Sequence, residues 1–81
     1  MTITKRVKLT FPKDLIKEPV IFTMAKKFDV MPNIRHARIT DSVGEVVLEF
    51  EGPEKKLEEG IAYLRERGVK VEPITGDFEN S

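Results

Sequence analysis

The segment Phe28-Asp29-Val30-Met31-Pro32-Asn33-Ile34-Arg35-His36-Ala37-Arg38-Ile39 holds the side chains of this 81-residue chain that are best suited to recognition chemistry. Asn33 offers one acceptor and two donors on its amide, a set that can hold the carboxylate or the ammonium of an amino acid. The same amide can instead cap a turn at Pro32 by bonding to backbone. Met31 brings a polarizable thioether, a contact suited to another thioether. Arg35 shares its alternation phase with Ala37 and Ile39 and so is expected to point toward a core, where an unpaired guanidinium would be costly. It must then either reach the rim along its methylene stem or pair with a carboxylate. His36 is the single histidine. No Cys, Ser or acid stands beside it in sequence, so it reads as a strand histidine on an open face or at an interface.

Other chemistries lack their parts. The chain has no cysteine, which removes disulfides, thiolate catalysis, iron–sulfur ligation and sulfur-based zinc sites, and fits a reducing cytosol. Glu49, Glu51 and Glu54 form an acidic run, but alternating carboxylates on a strand read as a solvated surface, so no metal is expected. Phe11-Pro12-Lys13-Asp14 contains neither a glycine-rich anion cradle nor paired cysteines. With no nucleophile–base pair in sight, the chain is expected to be no enzyme and to need no cofactor. Fourteen Lys and Arg balance fourteen Asp and Glu, which argues against non-specific nucleic-acid binding and gives little protection against self-association. The basic residues of the first strand are not interleaved with aromatics, so bases have no stacking platform. No apolar run is long enough to span a membrane, and Met1-Thr2-Ile3-Thr4-Lys5-Arg6 leads directly into alternation, without a signal-peptide pattern.

The elements that must position these residues follow from periodicity. Residues 3–11 alternate, with Ile3, Val7, Leu9 and Phe11 on one face and Thr4, Arg6, Lys8 and Thr10 on the other, the pattern of a strand with one buried face. Pro19 suits the first position of a helix, after which Ile21, Met24, Ala25 and Phe28 form an apolar stripe. Lys26 and Lys27 fall late in that helix, where they complement its dipole, and Pro32 stops any continuation. Residues 33–41 are expected as the second strand. Arg35, Ala37 and Ile39 share one face of it; Ile34, His36, Arg38 and Thr40 share the other. Asp41-Ser42-Val43-Gly44 reads as a hairpin turn. The third strand, 45–51, turns Val46, Leu48 and Phe50 inward. Gly52-Pro53 opens a second helix whose stripe is Leu57, Ile61 and Leu64; Gly60 within it points to close packing, and Gly68 is its stop. Val69 and Val71 form a short last strand.

The size bounds one domain, expected over residues 1–75 with a polar tail at 76–81. A chain so small buries roughly 60% of its unfolded surface, so a partner subunit would add stability. The βαββαβ order predicts an α/β (α+β) ferredoxin-like plait, a four-stranded antiparallel sheet with two helices on one face. Ile34, His36, Arg38, Val47, Arg6 and Lys8 are expected on the uncovered face.

Phe28-Asp29-Val30-x-x-Asn33-Ile34, followed by Ala37 and Ile39, resembles the NIL domain, named for an Asn-Ile-Leu signature. Gly44-Glu45, Leu48-Glu49-Phe50-Glu51-Gly52, Ile61-Ala62-Tyr63-Leu64 and Gly68-Val69-Lys70-Val71-Glu72 extend the resemblance over residues 5–74. It implies the ferredoxin-like plait, pairing into homodimers, and a regulatory role at the C-terminus of the ATP-binding subunits of bacterial methionine importers, where such domains bind methionine. A second setting is ahead of a two-cluster ferredoxin in proteins linked to sulfur amino-acid metabolism. By position, the signature asparagine's role in methionine binding falls on Asn33. Arg35 stands where the signature has leucine, and either weakens thioether recognition or clamps a carboxylate. The resulting expectation is a small cytoplasmic sensor, either stand-alone or a piece of a larger protein, that binds an amino acid, methionine first, through Asn33 and Ile34 with Met31, Arg35 and His36 as neighbours. Dimerisation is expected through the open sheet face or, by strand addition, through the edge at 33–40. The alternative is a protein-interaction module that docks on a ferredoxin, a transporter or a sulfur-metabolism partner and binds no small molecule.

Overall fold

Strict alternation in the first strand and in Val46-Leu48-Phe50 builds the centre of the sheet. The computed structural model describes residues 2–74: β1 (Thr2–Phe11), a 3-10 turn (Lys13–Leu15), α1 (Val20–Phe28), β2 (Met31–Ile39), β3 (Gly44–Pro53), α2 (Glu54–Glu66) and β4 (Lys70–Pro73). The expected tail at 76–81 lies outside the described residues. All pairings are antiparallel, in a four-stranded sheet of order β2-β3-β1-β4. β1 and β3 are therefore central and β2 and β4 are edges. Both helices pack on one face, which makes the ferredoxin-like α/β plait.

The core lies between that face and the helices. Leu9, Leu48 and Phe50 rise from the sheet to meet Met24 of α1 and Leu57 and Leu64 of α2, and all six are fully buried. Ile21, Ala25, Phe28 and Ile61 complete the two helical stripes as half-buried neighbours. Gly60 lets the helices approach closely, because a Cβ there would stand 2.5 Å from Met24 Cε. α2 stops at Gly68, whose φ of +100° is open to glycine and strained for other residues. The β2–β3 turn is closed by Thr40, whose N–H donates to the Val43 carbonyl at 2.7 Å and whose Oγ1 accepts from the Val43 N–H at 3.0 Å.

The prolines act one step from their expected places. Pro19 is the cap residue of α1, not its first turn, and Pro53 precedes α2 in the same way. Pro32 does not end α1. The helix has already closed at Asp29, which sits in the left-handed region at φ 57° with its N–H on the Ala25 carbonyl. β2 begins at Met31 and takes Pro32 as its second residue, a position open to proline because β2 is an edge.

The larger correction concerns the phase of β2. Its register against β3 runs Ile34↔Leu48 and then His36↔Val47, so Arg35 is an extra residue in a β-bulge. Alternation read straight through the strand holds after the bulge and fails before it. Ala37 lies opposite buried Val46, on the helix side, and His36 lies opposite Val47, on the open side, both as expected. Ile34, expected on the open face, pairs with Leu48 and belongs to the helix side. Arg35, expected to point toward the helices, leaves the alternation altogether.

Candidate functional site

β2 carries the five residues singled out from sequence, and the helices scarcely cover it. Every residue from Met31 to Ile39 is exposed except half-buried Pro32. Met31 is 66% exposed, Ile34 56% and Ile39 61%, values far from those of a strand that the helices cover. The reason is geometric: β2 is an edge strand, and the buried core draws its strand side chains from β1, β3 and β4 and none from β2.

Cross-strand register sorts the side chains. Met31 lies opposite Glu51, Asn33 opposite Glu49 and His36 opposite Val47. These three share the open face with the outward residues of β3. Ile34 stands on the reverse side. The Arg35 guanidinium acts on Glu49 from the bulge, since its charge helps to lower the Glu49 pKa. Asn33, Arg35 and His36 thus gather about one stretch of open sheet. The reading of Asn33 as the cap of a Pro32 turn fails, because that turn does not exist: Asn33 is mid-strand, and among the described residues its amide makes no side-chain hydrogen bond.

Glu49 is the electrostatic centre that sequence reading missed. Arg6 donates to Glu49 Oε2 through Nε at 3.0 Å and Nη2 at 2.5 Å. Those hydrogen bonds hold the Glu49 carboxyl below its usual value of 4.5, helped by the charges of Arg6 and Arg35 and opposed by desolvation. Its outward phase was legible in β3; its partner was not, since Arg6 and Glu49 meet only through the β1–β3 register. Farther along, Lys8 Nζ lies 4.0 Å from Glu45, whose register partner is Arg38. The open face is therefore a lattice of paired charges that ends, at the β2 edge, in Arg35 beside an unengaged amide.

Concavity lies elsewhere. A groove of about 440 Å³ runs between α2 and the β1–β4 edge, lined by Lys5, Ile61, Arg65 and Val71 among others. Among the described residues no group of three or more His, Asp or Glu side chains is disposed to hold a metal ion, and no helix is long and apolar enough to cross a membrane.

The NIL domain family model matches residues 5–73. The methionine import ATP-binding protein MetN 1 of Listeria innocua is 35% identical over 74 residues, which cover 86% of this chain and 22% of that protein. The methionine import ATP-binding protein MetN of Coxiella burnetii is 33% identical over 72 residues, or 84% of this chain and 20% of that protein. The chain thus spans about a fifth of the length of these curated relatives. Among solved structures, the C-terminal domain of an ABC transporter ATP-binding protein from Enterococcus faecalis superposes with a TM-score of 0.78 at 25% identity, covering 90% of this chain and 86% of that one.

Proposed function

The chain belongs to the NIL domain family, and from that premise we propose that it is a small non-catalytic regulatory domain that binds an amino acid, methionine first, as a homodimer on the cytoplasmic side of the membrane. The observation that carries this reading is the state of β2: an unengaged Asn33 amide and the Arg35 guanidinium on one exposed strand, flanked by the uncovered apolar side chains Met31, Ile34 and Ile39. The Asn33 amide can take the ligand's carboxylate or ammonium. Arg35 can grip the carboxylate as a charge-assisted fork. Met31 supplies the contact for a thioether, Ile34 adds apolar surface from the reverse side, and His36 bounds the site along the strand.

One copy offers these groups without walls, and ligand sites bury most of their ligand. A second copy laid against β2 would supply the walls and cover the apolar side chains in the same step. The relatives named for methionine import support methionine as the first ligand, and a transporter as the first regulated partner. Their ATP-binding function concerns whole proteins of which this chain matches a fifth, and is not carried over. Sedimentation velocity at high micromolar protein, with and without L-methionine, tests the reading. A dimer that methionine tightens is expected, because a ligand bound at a shared interface favours assembly. Monomer under both conditions would overturn it.

Phe22 favours a second reading. It is 65% exposed on α1 with Lys26 Nζ 5.7 Å from its ring centroid, a surface that a partner protein could cover. A module that docks on a transporter, a ferredoxin or a sulfur-metabolism protein would capture that partner stoichiometrically, and methionine would leave its melting temperature unchanged.

A further inference from the structure

Glu49 meets its partner through one oxygen. Arg6 Nε and Nη2 both donate to Oε2, at 3.0 and 2.5 Å, and Oε1 accepts no side-chain hydrogen bond among the described residues. Glu49 lies within β3, and the residues opposite it on β1 and β2 are described. An ionised carboxylate accepts on both oxygens, so much of its capacity is unused. The Arg6 hydrogen bonds are the first cause that holds the carboxyl below its usual value of 4.5, and it is therefore ionised at neutral pH. Glu49 is half-buried, not covered.

Register sets Asn33, Glu49 and Arg6 in one row across β2, β3 and β1. Directly opposed residues of an antiparallel pair hold their Cβ atoms about 5 Å apart on the same face, so the unengaged Asn33 amide and the unengaged Glu49 oxygen are neighbours. Arg35 adds the opposite charge from the bulge. It is near enough to act on Glu49, yet it forms no ion pair among the described residues. An α-amino acid carries its ammonium and its carboxylate on a single carbon. A site for it must therefore hold an anion and a cation close together without letting them neutralise each other. Arg6 does this by engaging Glu49 through Oε2, which leaves Arg35 unpaired. Glu51, the next acid along this face, stands exposed opposite Met31 and makes no ion pair that would fix its carboxylate.

We propose that Glu49 is the ammonium acceptor of the β2 site: Oε1 takes the α-ammonium of a free amino acid, Arg35 takes its α-carboxylate, and Arg6 is the positioning residue that holds the acid. This assignment rests on the amino-acid reading of β2 and narrows it to ligands that carry both charges. N-acylated and deaminated relatives of methionine, and methionine within a peptide chain, lack one of them and are rejected.

Isothermal titration of the full chain with L-methionine and with desamino-methionine, which has hydrogen in place of the ammonium group, tests this in the parent, in Glu49→Gln and in Glu51→Gln. The parent should bind desamino-methionine about tenfold or more weakly than methionine, because a site built to hydrogen-bond a polar group rejects the analogue that lacks it. Glu49→Gln keeps the size of the side chain and removes its charge. It should weaken methionine by about tenfold or more, the worth of a hydrogen bond to a charged group, and leave desamino-methionine unchanged or tighter, so that the preference disappears. A purely structural role for Glu49 would instead weaken both ligands alike. Glu51→Gln should keep the preference. No preference in the parent, a preference that survives Glu49→Gln, equal loss of both ligands in that variant, or a preference lost in Glu51→Gln would overturn the assignment and leave the amino-acid reading standing. Failure of the parent to bind L-methionine would overturn both.

Discussion

The roles proposed for Asn33 and Arg35 depend on one irregularity. Residue type alone suggested recognition chemistry for both, but the direction of their side chains was not legible. Alternation assumes one residue per register step, and nothing in Ile34-Arg35-His36 announces the bulge that breaks it. Its consequence is that Arg35 need not be buried or paired, and it remains available to a ligand carboxylate. Arg35→Ala should therefore weaken L-methionine binding by about tenfold or more, the worth of a hydrogen bond to a charged group, and leave the melting temperature nearly unchanged because the residue is exposed. Calorimetric titration of the variant, paired with its melting curve, checks both halves. Glu49 allows a pH prediction. Its folded pKa is depressed, first by the Arg6 hydrogen bonds, so its contribution to stability is complete above the unfolded value and is lost as pH falls through the folded one. The melting temperature of the parent should fall more steeply on acidification below pH 4.5 than that of Glu49→Gln. Equal slopes would show that the ion pair does not stabilise the fold. The effect is small and fades in salt, as for any surface pair.

Elements were the most legible scale, because each rests on several agreeing signals. α2 has a flanking proline, an apolar stripe, a basic last turn and a glycine stop, and it runs Glu54–Glu66 as those signals require. The boundaries that moved are those read from a single proline. Pro32 forbids a helix before it but is equally at home in an edge strand, and only the sheet order reveals that β2 is an edge. Two substitutions test the physical account. Leu57→Ala removes a fully buried side chain from the interface of α2 with the sheet, and should lower unfolding free energy by about 2–5 kcal/mol in denaturant titration. Gly68→Ala imposes a Cβ at φ +100°, and should cost about 1–2 kcal/mol by the same measurement. A neutral result at Gly68 would mean that α2 can end in another conformation.

The whole molecule is organised around unequal edges. β4 is short and partly walled by α2, whereas β2 is long, two-sided and exposed. β2 also bears the devices that discourage indiscriminate strand addition: a proline, a bulge and the cations Arg35 and Arg38. A second copy is therefore expected to cover β2 mainly through side chains, with Ile34 and Ile39 at the contact. This modifies the sequence-based expectation of strand addition along 33–40. Ile39→Lys should leave the monomer's stability within about 0.5 kcal/mol, as exposed positions do, while sedimentation shows the dimer weakened. This scale was the least legible in sequence. The charge balance and small size predicted a chain open to self-association, but which strand is left uncovered depends on where two helices come to rest on four strands. The central claim, amino-acid binding at Asn33, is tested most directly by isothermal titration of the protein with L-methionine, with Asn33→Ala as the control. Saturable heat in the parent that disappears in an equally stable variant is the predicted result. The absence of heat up to millimolar methionine, or equal heat in both proteins, would contradict it.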